Sequence, residues 1–257
     1  LIVSIATPDS ELVDEVRVSP NVEPRRNGLT PSILLLHYTG LESMAMAIDW
    51  LCLVGSGVSC HYGIDGDGRI TQMVAEEMRA WHAGDSMWAG EIDINSSSIG
   101  IEIHNPGHAF GYPDFPEVQM QAVERLSRDI IARHRIRPER VLAHSDVAPM
   151  RKKDPGEKFP WARLARAGIG HWVAPAPVVS GDEGLGLGAA EPRIAAVQVA
   201  LRRYGFGIEP TGVIDEKTLL VVSAFQRHFR PERVDGRVDR STIATLERLI
   251  AALPQDA

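Results

Sequence analysis

The chain of 257 residues contains only two cysteines, Cys52 and Cys60, too few for a disulfide framework and spaced unlike a paired zinc knuckle. They read as two thiols, with a single bridge between them geometrically open. Positive charge is in deficit: 27 Lys and Arg stand against 34 Asp and Glu, a formal charge of -7. No basic field is therefore present to hold nucleic acid or an anionic membrane. Long apolar runs are missing too. The longest, such as Ile33 to Leu36 and the opening Leu1 to Val3, fall far short of the roughly 20 residues that span a bilayer. No signal-peptide pattern opens the chain, but it starts at Leu1, so export stays open. What is present, 44% hydrophobic and 24% charged residues, fits a soluble globular chain with room for one large domain or for a large and a small one.

Composition changes after Trp172. The stretch from Val173 to Ala190 is rich in Pro, Gly and Ala and has no apolar period, so it reads as a linker. The expected domains are 1–170, a linker over 171–190, and 191–257. In the larger part, strand patterns (Ile33 to His37, Ile99 to Ile103, Val141 to Ala143) alternate with helical ones (Ser43 to Val54, Glu117 to His134). Asp65-Gly-Asp-Gly68 supplies the turn of a hairpin between Ser59 to Ile64 and Arg69 to Val74. This predicts an α/β fold with a mixed central β-sheet flanked by helices. In the smaller part, Gly212-Val-Ile-Asp215 with Thr218 is echoed 24 residues later by Gly236-Arg-Val-Asp239 with Thr242. Each copy pairs a glycine able to take a left-handed turn with an aspartate suited to cap the following helix. With the amphipathic Ile194 to Tyr204 segment, they predict a small all-α three-helix domain.

Nine histidines are the first place to look for chemistry. His37 and His144 each end an apolar strand, on a rigid element at the edge of the core. Either alone would read as satisfying a local hydrogen bond. Downstream of His144, Asp154 sits in a Pro-punctuated loop able to fold back to the strand end, and by itself would read as a turn residue. Two imidazoles and one carboxylate leave a fourth position open on a tetrahedral zinc, the mark of a catalytic site. Glu102 puts a carboxylate inside the apolar strand around Ile101 and Ile103, where burial costs several kcal/mol unless it is paired and raises the pKa toward that of a general base. Period-two geometry sets His104 on the same sheet face, with a rim histidine as the plain alternative.

The composite pattern resembles the zinc-dependent N-acetylmuramoyl-L-alanine amidases of the AmpD/AmiD type, related in fold to peptidoglycan recognition proteins and phage lysozyme-like amidases. The matching segments are Leu36-His37-Tyr38-Thr39, Ser59-Cys60-His61-Tyr62, Ala80-Trp81-His82-Ala83-Gly84, Ser98-Ile-Gly-Ile-Glu102 with Asn105, and Ala143-His144-Ser145-Asp146 through Lys152, Asp154-Pro155-Gly156 and Phe159-Pro160-Trp161. They run in family order over most of residues 30–165. The resemblance implies a Zn2+ cofactor held by His37, His144 and Asp154, with Glu102 as the catalytic glutamate and Lys152 as the oxyanion-stabilising lysine. Choosing Lys152 over Lys153 rests on the count to Asp154. Trp81, His82, His104 and Asn105 are expected to line the substrate groove. The pattern departs at Cys60, where phage and animal relatives carry a tyrosine; this suits the bacterial branch and leaves Cys60 a structural role.

The bond implied is the amide between N-acetylmuramic acid and the L-alanine of the stem peptide, cleaved in cell-wall turnover or recycling. The alternative is a non-catalytic peptidoglycan receptor of the same fold. A zinc peptidase is a further class, but the chain lacks its His-Glu-x-x-His helix. The C-terminal echo, with Val197-Gln198, Leu201, Tyr204-Gly205 and Ala224-Phe225-Gln226, resembles a peptidoglycan-binding module, which raises local substrate concentration without altering the chemistry. The expected partner is peptidoglycan or a muropeptide, with no nucleic acid and no transmembrane segment. The expected state is a monomer in the periplasm or cell envelope, the cytoplasm being the alternative.

Overall fold

Four consecutive apolar residues, Ile33 to Leu36, belong in a strand covered on both faces, and all four are completely buried. In the computed structural model, which describes residues 5–254, they lie in β3 (Ile33–Tyr38), inside a six-stranded sheet. The apolar opening Leu1 to Val3 lies outside the described residues. The other strands of the sheet are β1 (Glu15–Val16), β4 (Tyr62–Ile64), β5 (Ile70–Gln72), β7 (Ser98–Ile103) and β8 (Val141–Ala143), in the order β1-β5-β4-β7-β3-β8. β4 and β5 form the expected antiparallel hairpin around Asp65–Gly68, and the other neighbours are parallel, so the sheet is mixed. A separate ribbon pairs β2 (Val22–Pro24) with β6 (Met78–Ala80).

The chain divides into two compact units. One holds the chain up to Gly84 with Asp93–Ala143, and the other holds Asp85–Ile92 with the chain from His144 onward. In the first, α1 (Met44–Leu51) is capped by the Ser43 side chain, and α3 (Glu117–His134) packs Met120, Val123, Leu126 and Ile130 inward at helical spacing. The short α2 (Ile94–Ser97) leads directly into β7.

Two buried groups make this unit sensitive to acid. Burial, reinforced by the nearby Arg25, pushes the His61 imidazole down to about 3. Burial pushes the Glu76 carboxyl up, but hydrogen bonds from His134, Arg133 and Tyr62 outweigh it and hold the group at about 2. Each group takes its proton at a higher pH in the unfolded chain than in the folded one. Stability is therefore lost through His61 as pH falls from about 6.5 toward 3, and through Glu76 from about 4.5 toward 2. The melting temperature of the metal-free protein is expected to fall progressively below about pH 6.5. His61→Gln should flatten the upper part of that profile, and an unaltered profile in the variant would remove His61 from the effect.

In the second unit, α4 (His144–Val147) and α5 (Trp161–Arg166) precede the helices of the three-helix module, α6 (Pro192–Tyr204), α7 (Glu216–Phe229) and α8 (Arg240–Ala251). The internal echo is structural. Gly212 and Gly236 both have positive φ, 76° and 71°, and Asp215 and Asp239 accept the backbone N–H of Thr218 and Thr242 at 2.7 and 2.6 Å. Two buried glutamines complete the repeat: Gln198 Oε1 accepts from Gly212 N, and Gln226 Oε1 from Gly236 N.

The stretch expected as a linker is fastened along this module. Ala176 N donates to Thr245 Oγ1 and Ala176 O accepts from Ser241, while Asp182 O accepts from Arg233 and Asp182 Oδ2 from the N–H of Arg240. Gly188 N donates to Ile214 O, and Leu185 bridges Val238. Backbone polar groups and one aspartate make these hydrogen bonds, which is why the composition of the segment concealed the attachment.

Candidate metal centre and active site

Parallel pairing of β3 with β8 sets Leu36 opposite Ala143, so the next residues along the two strands, His37 and His144, leave the register together. Both are buried, at 1% and 3% exposure, and Asp154 is 6% exposed. The loop carrying Asp154 returns to the start of α4, where Ser145 N donates to Asp154 O at 3.0 Å and His144 Nδ1 lies 2.9 Å from Asp154 Oδ2. One ligand atom from each of His37, His144 and Asp154 falls within 4.8 Å of the others. Two imidazoles and a carboxylate, buried and converging, are donors that suit zinc, and a three-ligand protein set leaves a coordination position open.

Glu102 is the register partner of His37 across the parallel β3 and β7 strands, so the two side chains share a sheet face. Its strand neighbours Ile101 and Ile103 are wholly buried, whereas Glu102 is half-buried, at the boundary a proton acceptor needs. Lys152, also half-buried, lies in the turn after α4, its N–H donating to Ala148 O at 3.0 Å. Cys60 and Cys52 are both unbridged. Cys60 packs with Leu51 and Met73, and burial, with Glu102 adding to it, pushes its thiol well above the usual range. This is the structural role expected for it.

The four residues expected in a substrate groove differ in their surroundings. Trp81 is half-buried, with its backbone paired to Ser59. His104 lies just beyond the end of β7, half-buried, with Nδ1 3.3 Å from Thr39 Oγ1. Asn105 is 2% exposed, and its Oδ1 accepts from Gly107 N while its Nδ2 donates to Pro113 O, so its amide shapes the loop it sits in. His82 is buried as well. At 9% exposure its ring faces inward, with Nδ1 3.0 Å from His37 Nε2 and Nε2 3.2 Å from Ser98 Oγ. Missed from sequence were Asn95, whose Oδ1 accepts the N–H groups of His82 and Ala83, and Ser98. The available signal was the polar run Asn95-Ser-Ser-Ser98 leading into an apolar strand.

A mixed sheet that ends in a buried His-His-Asp cluster, with a carboxylate beside one histidine, has the parts of a metal-dependent hydrolase. Residues 27–157 match the family described as N-acetylmuramoyl-L-alanine amidase, and residues 190–246 match "Putative peptidoglycan binding domain". The N-acetylmuramoyl-L-alanine amidase AmiD of Escherichia coli is 38% identical over 243 residues, 87% of this chain and 84% of that protein. The solved complex of E. coli AmiD with the substrate anhydro-N-acetylmuramic acid-L-Ala-D-gamma-Glu-L-Lys superposes with a TM-score of 0.75 at 35% identity, covering 93% of this chain and 94% of that one. AmpDh3 from Pseudomonas aeruginosa, solved in complex with anhydromuramic pentapeptide, gives 0.72 at 34% identity over 90% and 96%. The chain belongs to the N-acetylmuramoyl-L-alanine amidase family.

Proposed function

We propose that the chain is a zinc-dependent amidase that cleaves the bond between N-acetylmuramic acid and the L-alanine of the stem peptide, with His37, His144 and Asp154 as metal ligands. The observation that carries the ligand set is the convergence of these three buried donors within 4.8 Å. When bound, zinc supplies Lewis-acid activation of water and of the scissile carbonyl. Glu102, beside His37 in the β3–β7 register, takes the proton of the attacking water and returns it to the leaving amine. Lys152 donates to the oxyanion that develops on the carbonyl oxygen.

Lys152→Ala is expected to lower kcat by about 100- to 1000-fold with little change in KM. An effect confined to KM would make Lys152 a substrate anchor instead. The ligands in the similar AmiD and AmpDh3 complexes support anhydro-muropeptides as a substrate class, and the C-terminal module supports polymeric wall as a second. Action on polymer fits a monomer working in the periplasm or cell envelope, in wall turnover or recycling. Among the described residues no helix is long and apolar enough to cross a membrane.

Mass spectrometry of digested sacculi separates the competing chemistries. Free stem peptides that begin with L-alanine are the expected products. L-alanine retained on muramic acid would identify a peptidase, and binding without any release would identify a receptor.

A further inference from the structure

His82 lies behind one of the metal ligands, and its hydrogen bonds have a readable direction. Ser98 Oγ lies 2.6 Å from the carbonyl oxygen of Ile94. A carbonyl only accepts, so the hydroxyl proton of Ser98 points there and its lone pair faces His82 Nε2, 3.2 Å away. That nitrogen therefore carries the proton of a neutral His82, and Nδ1 offers a lone pair to His37 Nε2 at 3.0 Å. His37 must then be protonated on Nε2, which leaves the lone pair on Nδ1. A histidine metal ligand needs this arrangement: one nitrogen for the metal, with the other donating to a partner that fixes ring and tautomer.

The surroundings hold the relay in place. Asn95 Oδ1 accepts the backbone N–H of His82 at 3.0 Å, and the rings of His82 and His37 meet edge to face at 5.1 Å. Gly100 lies two residues before Glu102 in β7 and so underlies the same face of the sheet. A Cβ at position 100 would stand 2.6 Å from His82 Nδ1 and 2.8 Å from Cys60 Sγ, so only glycine leaves room for the imidazole.

We propose that His82 is a positioning residue of the metal centre: anchored through Ser98 to the Ile94 carbonyl, it accepts from Nε2 of His37 and so sets the tautomer and orientation in which His37 presents Nδ1 to the metal. The proposal rests on the reading of His37 as a metal ligand. It assigns His82 a place behind the metal, not in the substrate groove.

Zinc affinity of the full chain, measured by competition with a chromophoric chelator, tests the proposal in three proteins: wild type, His82→Leu and His82→Gln. Losing the partner in His82→Leu is expected to weaken zinc binding by about 10- to 100-fold. Glutamine, with an acceptor for His37 and a donor for Ser98, should recover most of that loss. Equal affinity in wild type and His82→Leu, or equal loss in both variants, overturns the proposal. An absence of zinc binding in the wild type overturns the ligand reading and the proposal with it. A second measurement needs no variant. Long-range 1H–15N correlation spectra of the metal-free wild type should place the His37 proton on Nε2, and a proton on Nδ1 overturns the relay.

Discussion

Asp154→Ala is expected to lose zinc and turnover together. Asp154 is the one carboxylate among three converging donors, and its Oδ2 lies 2.9 Å from His144 Nδ1. Removing it leaves two neutral imidazoles, a weaker set without the anionic oxygen that offsets the charge of the ion. Lewis-acid activation supplies several kcal/mol of transition-state stabilisation, so turnover should fall on the order of 1000-fold or more. The fold should survive. The contact that returns this loop to α4 runs from Ser145 N to the Asp154 backbone carbonyl, which alanine retains. Metal content and muropeptide turnover of the purified variant, beside a circular dichroism spectrum, check all three parts; a variant with full zinc and full turnover would exclude Asp154 as a ligand.

Glu102→Gln is expected to separate what Asp154→Ala joins, by keeping zinc while losing turnover. Glutamine preserves the shape of a half-buried side chain on a strand whose neighbours Ile101 and Ile103 are wholly buried. It cannot accept and return a proton. General acid–base catalysis typically contributes about 100- to 10,000-fold, and kcat should fall by that factor with metal content unchanged. Retained turnover would take Glu102 out of the proton-transfer role. Loss of zinc in the same variant would point to metal binding instead.

How far the sequence anticipates these sites depends on how local their causes are. β3 was legible because four adjacent apolar residues have few other uses. The repeated capped turns were legible because a left-handed glycine and a capping aspartate act within a few residues of each other. β1 and β2, only two and three residues long, show no period, and their partners at Ile70–Gln72 and Met78–Ala80 define them as strands. The metal cluster was legible because each histidine ends a visible apolar strand; the pairing of Leu36 with Ala143 that unites them follows from the sheet order. The contacts of His82 were not legible because its orientation depends on Gly100 having no side chain, and no local pattern around Trp81 and His82 carries that information. Asn105 reads as a polar residue near the site, yet both ends of its amide serve the backbone of its own turn. The segment 171–190 lacks an apolar period, but its carbonyls and Asp182 have partners in the helices that follow.

The most direct test of metal-dependent amide hydrolysis is stepwise zinc removal and return on a soluble anhydro-muropeptide, with products identified by mass spectrometry. Chelation should abolish release of the L-alanine-initiated peptide, and one equivalent of zinc per chain should restore it. Unchanged release from protein shown to be metal-free would contradict catalysis at His37, His144 and Asp154.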